Sequence, residues 1–123
     1  MKLYCCGCED EVIPRLTTGE EIYPHRKDLY SLPFWICNSC GNYVGCHHKT
    51  DDSTRPLGSI PTPRIKASRQ LIHRMLDPLW KQGKFSRSYI YQKLGEVLGR
   101  EYHTADIRSL EEADVVVEYL KRI

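Results

Sequence analysis

The sequence predicts an α+β fold, with short antiparallel β-hairpins in the front half and a small three-helix unit behind them. Three observations predict it. Two C-x-x-C pairs, Cys5/Cys8 in "CCGC" and Cys37/Cys40 in "CNSCG", stand 28 residues apart. Around the second pair, "EEIYPH", "DLYSLPFWIC" and "NYVGC" read as extended, being rich in β-branched and aromatic residues and broken by Pro and Gly. Beyond residue 66 the apolar spacing turns helical. The expected division is a cysteine-bearing hairpin unit over 1–49, a linker over 50–66 and a helical domain over 67–123.

The cysteine pairs carry the most specific chemistry. Thiolates three positions apart on a tight turn point at one ion, and two such pairs complete a tetrahedron. This is the pattern of a zinc ribbon, with Cys5, Cys8, Cys37 and Cys40 as ligands of one structural Zn2+. Gly41 supports it, because the chain must turn sharply after the last ligand and Gly accepts positive φ without steric cost. A four-thiolate site is closed, which argues for scaffolding rather than metal catalysis. A thioredoxin-like redox motif fits less well, since it needs one C-x-x-C in a strand-to-helix setting. Cys6 pairs with Cys8 at a tighter, less usual spacing. Cys46, His47 and His48 are chemically capable ligands, but a closed site needs no fifth one, and they read as a buried thiol and surface or hydrogen-bonding groups.

Length and composition bound the rest. A chain of 123 residues with 41% AVILMFWYC holds one small core or two. It has no run of about 18 apolar residues, so no membrane span is expected. "MKLYCCGC" has one Lys and no apolar h-region, so a secretory signal is not expected either. The expected compartment is a reducing cytoplasm, where paired cysteines hold metal more often than they form structural disulfides.

In the linker, "TDDSTRPLGSIPTPRIK" holds three prolines and one glycine, with Leu57 and Ile60 as apolar contacts. The first helix is expected from Ser68 as N-cap to Gly83, with Ile72, Met75, Leu76 and Leu79 on its apolar face and a bend or stop at Pro78. The second runs from a Ser86 or Ser88 cap to Gly99, with Ile90, Leu94, Val97 and Leu98 inward. The third opens with Ser109 and Glu112 as a capping box and ends on Lys121 and Arg122, which suit the helix dipole. Trp80 reads as a core or interdomain anchor.

Charge is uneven. Residues 1–52 carry five Lys/Arg and eight Asp/Glu, residues 53–95 nine and one, and residues 96–123 four and seven. The middle is therefore +8 in a chain of net charge +2. Arg64, Lys66, Arg69, Arg74, Lys81, Lys84, Arg87 and Lys93 are interleaved with Phe85, Tyr89 and Tyr91, which suits phosphate contact with base stacking. Nucleic acid is the expected partner. A protein partner is the rival, met through the acidic residues Glu9, Asp10, Glu11, Glu20 and Glu21 of the front half and Glu111, Glu112 and Asp114 of the back. A third reading is a hydrolase or nuclease centred on His73 and Asp77, which follow Arg69 at i+4 and i+8 on one helical stripe. A polar network docking that helix is the simpler role for the stripe. The sequence shows no nucleophile motif, no paired carboxylates at metal spacing and no phosphate-cradling glycine loop, so no catalytic residue is assigned.

The run "WICNSCGNYVGCHHKT", then "PLG", then Arg69, His73, Asp77, Pro78, Leu79 and Trp80, then "SRSYIYQKLG", resembles the uncharacterised zinc-finger-containing domain family of tailed phages and prophages. The resemblance covers most of residues 5–98. It implies a zinc ribbon and a phage setting, hence a bacterial cytoplasm, and brings no established activity. The first knuckle departs from the family's C-P-x-C pattern, with Cys6-Gly7 in place of Pro and an aromatic, which leaves Cys5 and Cys6 as alternatives there.

Overall fold

The chain opens with a hairpin. Strand β1 (Leu3–Cys5) pairs antiparallel with β2 (Asp10–Val12), Leu3 opposite Val12 and Cys5 opposite Asp10. The computed structural model describes residues 1–123, which form two compact units, Met1–Thr62 and Pro63–Ile123.

The second sheet of the first unit has the order β3-β4-β5, from β3 (Arg15–Thr18), β4 (Pro33–Ile36) and β5 (Tyr43–Gly45), all antiparallel. Side chains alternate across β4. Trp35, opposite Leu16 and Val44, packs against the buried cluster of Cys5, Cys37, Val44 and Ile60. Phe34 joins Tyr23 and Tyr43 in three edge-on contacts, with centroids 5.7 to 5.9 Å apart.

"EEIYPH" is not extended. Gly19–Ile22 form a single helical turn, α1, and Lys27–Leu29 a 3-10 turn. Glu21 folds back from α1 to accept two hydrogen bonds from Arg15, at 2.9 and 3.0 Å, and one from Thr17. The loop passes so close to Gly19 that a Cβ there would stand 1.8 Å from the Leu29 carbonyl oxygen.

Much of the expected linker is built into the first unit. Leu57 N–H donates to Gly45 C=O at 3.0 Å and His47 N–H to Arg55 C=O at 2.8 Å, extending the sheet beyond β5. Ile60 sits beside the first hairpin. Its N–H donates to Tyr4 C=O and its own C=O accepts from Cys6 N–H, both at 2.8 Å. Ile60 is completely buried, so this stretch closes the small core.

The second unit is helical. Helix α2 (Pro63–Lys81) starts five residues before the expected Ser68 cap, with Pro63 at N1 where its missing N–H costs nothing. Ser68 lies inside the helix and donates to the Arg64 carbonyl at 3.1 Å. The helix continues past Pro78 to Lys81. Helix α3 (Arg87–Leu98) is capped by Ser86, which accepts from Tyr89 N–H, and ends at Gly99 in the left-handed conformation. Helix α4 (Leu110–Lys121) is capped by Ser109, which accepts from Glu112 N–H, while Glu112 reaches back to Arg108 N–H at 2.9 Å.

Ile72, Leu76, Ile90, Leu94, Ile107 and Val116 fill the helical core, each almost wholly removed from water and each contributing about 1.5–3 kcal/mol by transfer. Val97 was expected inward but is exposed, because two turns of α3 bury only the Ile90/Leu94 stripe fully. Trp80 packs on this core and meets Tyr91 edge-on at 6.2 Å. No helix of the structure is long and apolar enough to cross a membrane.

Candidate metal centre

The first knuckle, Cys5–Cys8, joins β1 to β2, and the second, Cys37–Cys40, joins β4 to β5. Both are built alike. The N–H groups two and three positions on, from Gly7 and Cys8, point at the Cys5 sulfur, and those of Ser39 and Cys40 point at the Cys37 sulfur. Gly41 N–H closes the second turn on Cys37 C=O at 2.8 Å, with Gly41 at φ 78°. This is the positive φ expected of that glycine.

The four sulfurs come together across the two knuckles. Cys5 Sγ lies 3.5 Å from Cys40 Sγ, and Cys8 Sγ lies 3.7 Å from Cys37 Sγ. All four fall within 4.8 Å of one another. Thiolates about 2.3 Å from one tetrahedral ion stand ~3.8 Å apart, so the spacing suits Zn2+. It does not suit disulfides, whose sulfurs sit about 2.05 Å apart, and all six cysteines are free. Cys5 and Cys37 are buried, while Cys40 opens to solvent.

Without a cation this cluster resists full ionisation. Burial raises Cys5, and the hydrogen bond its thiol shares with Cys40 adds to the rise, because the neutral thiol is the donor there. Hydrogen bonding to Cys37 and then burial push Cys8 up to about 12. Burial also opposes ionisation of Cys37, but the Cys40 and Ser39 N–H groups, together with hydrogen bonds from the Cys40 and Cys8 thiols, outweigh it and bring that thiol down to about 7. A divalent cation neutralises the mutual repulsion, and four thiolates with buried backbone donors suit one structural Zn2+.

The other candidate ligands lie outside the cluster. Cys6 is buried with its sulfur 3.9 Å from Ser59 Oγ. Cys46 is buried, bridged to Pro56 through its backbone, and burial raises its thiol. His48 Nδ1 lies 3.3 Å from the Cys46 carbonyl oxygen. His47 donates its N–H to Arg55. The matched N–H geometry of the two knuckles decides for Cys5 over Cys6.

The eight basic residues of 64–93 do not behave as one set. Arg64, Arg74, Lys81, Lys84 and Arg87 are exposed, and none of them lies in an ion pair. Lys66 is half-buried, and Lys93 reaches Glu96 at 3.7 Å. Arg69 is buried, 8% exposed, with Nε and Nη2 donating to the Ile107 carbonyl at 3.1 and 2.7 Å. It braces the helical core and is not presented to a phosphate. His73 and Asp77 are both exposed and share no hydrogen bond. The stripe read from the sequence is therefore one buried brace followed by two surface groups.

The aromatics also divide. Tyr91 turns edge-on to Trp80 and to Tyr102, the latter at 5.1 Å, and Arg87 lies 5.3 Å above its ring. Phe85 and Tyr89 stack on each other instead, with centroids 5.9 Å apart and planes 6° from parallel. Their i, i+4 spacing is visible in the sequence; Phe85 also packs on the helical core, while Tyr89 stands exposed.

No curated protein and no solved structure matches the chain. The profile of a zinc-finger-containing domain matches residues 2–122, which spans both the four-cysteine ribbon and the helices. The chain belongs to that zinc-finger-containing family.

Proposed function

We propose that this is a non-catalytic, zinc-stabilised accessory protein that binds nucleic acid through the basic segment 64–93, in the cytoplasm of a bacterium carrying a phage. The observation that supports it most is the set of five exposed cations outside any ion pair, Arg64, Arg74, Lys81, Lys84 and Arg87, in a stretch whose one acid is Asp77. Exposed cations near aromatic rings supply phosphate contacts without sequence readout. The zinc ribbon is the scaffold in this reading, because a saturated site offers no position for substrate. The phage setting rests on the sequence resemblance alone.

If the five cations all reach phosphates, the logarithm of affinity should fall with the logarithm of salt with a slope of about −4. The variant K84E/R87E should weaken binding and flatten that slope to about −2.5. Fluorescence anisotropy across a salt series reads both quantities. Absence of binding to DNA and RNA at low salt would sink the reading. Recovery of a single stoichiometric host protein, insensitive to nuclease, would then favour a protein-interaction module.

A further inference from the structure

We propose that the nucleic acid taken by this face is single-stranded, and that Phe85 and Tyr89 are the platform on which an unpaired base stacks. This rests on the nucleic-acid reading above and adds the strand state and the residues that select it. The two rings straddle the Ser86 cap of α3 and lie 6° from parallel. Each has an ammonium above it, Lys84 Nζ at 5.8 Å from the Phe85 centroid and Lys93 Nζ at 5.6 Å from that of Tyr89. Tyr89 is 46% exposed, a large aromatic surface left in water.

An exposed cation–π contact shifts an equilibrium only about two- to fivefold. A base stacked on an aromatic ring shifts it about five- to 150-fold. A base therefore displaces a lysine from its ring; Lys84, which lies in no ion pair, is then already beside the strand where phosphates stand, while Lys93 stays within reach of Glu96. The first-turn N–H groups of Arg87 and Ser88 face the same end of α3 and favour anions. A duplex cannot use the rings. Its base faces are covered by their neighbours, leaving only phosphates and groove edges to a protein.

The test is anisotropy with labelled oligothymidylate, its ribonucleotide counterpart and a duplex of equal length, at one fixed salt concentration. At least one single strand should bind about tenfold or more tightly than the duplex. Y89L should bring single-strand affinity down towards the duplex level, and Y89F, which keeps the ring, should restore it. Duplex binding equal to or tighter than both single strands in the wild-type protein overturns the inference and leaves the nucleic-acid reading standing. So does full single-strand affinity in a Y89L protein. No binding of any of the three probes overturns the nucleic-acid reading itself. The wild-type comparison decides the matter even if Y89L fails to fold.

Discussion

Replacing Arg69 with Ala tests how the helical unit is braced. The guanidinium is 8% exposed and places two donors on the carbonyl of Ile107, which is completely buried. A hydrogen bond from a charged donor contributes about 1.5–3 kcal/mol, and a buried carbonyl stripped of its partner costs about 1–3 kcal/mol. These describe the same loss and do not add. Truncation also removes the apolar stem from the core, while relieving the cost of burying a charge. The net destabilisation expected is about 2–4 kcal/mol. For a small domain that lowers Tm by about 10 °C or more. Urea unfolding followed by helical circular dichroism measures it, with R74A as the exposed control within about 0.5 kcal/mol of wild type. R69M fills much of the same volume without the donors and should retain part of the stability. If R69A unfolds at the same urea concentration as wild type, the Ile107 carbonyl is satisfied by water, and the brace does not exist.

Zinc content should separate the cysteines: C5S and C37S should each lose most of the metal, whereas C6S and C46S should keep it, as measured by elemental analysis of purified protein. G19A should disrupt the first unit, because its Cβ would collide with the Leu29 backbone oxygen at 1.8 Å; loss of dispersed amide signals from 1–62 would show it, and an unchanged spectrum would refute the close approach. The Arg15 guanidinium holds Glu21 down to about 2. A depressed carboxylate stabilises above its unfolded value and loses that contribution as pH falls through the folded one. An NMR titration over the pH range in which zinc stays bound should therefore show Glu21 still ionised in wild type at pH values where it has begun to protonate in R15A.

The metal centre was largely legible in the sequence, because metal geometry is dictated by short local spacings. Two C-x-x-C pairs and Gly41 locate the knuckles whatever the chain does between them. The helix caps Ser86, Ser109 and Glu112 were legible for the same reason. What could not be read depended on contacts distant in sequence. "EEIYPH" has extended composition, yet a carboxylate drawn back to Arg15 makes it a helical turn. Ser68 looks like a cap, but Thr62-Pro63 was the better start signal, a cap residue type followed by Pro at N1. Arg69 reads as one of the phosphate-facing cations in the sequence, because charge alone does not reveal burial. Only the placement of Ile107, 38 residues further on, shows why it is spent inside.

The fold of the first unit stands on its metal and on the four thiolates that hold it. Protein purified without added zinc and analysed by mass spectrometry under native conditions should carry one Zn2+ per chain. Chelation should release it together with the ordered fold of the first unit. A chain that carries no zinc, or one whose 1–62 signals stay unchanged after the ion is stripped, would contradict it.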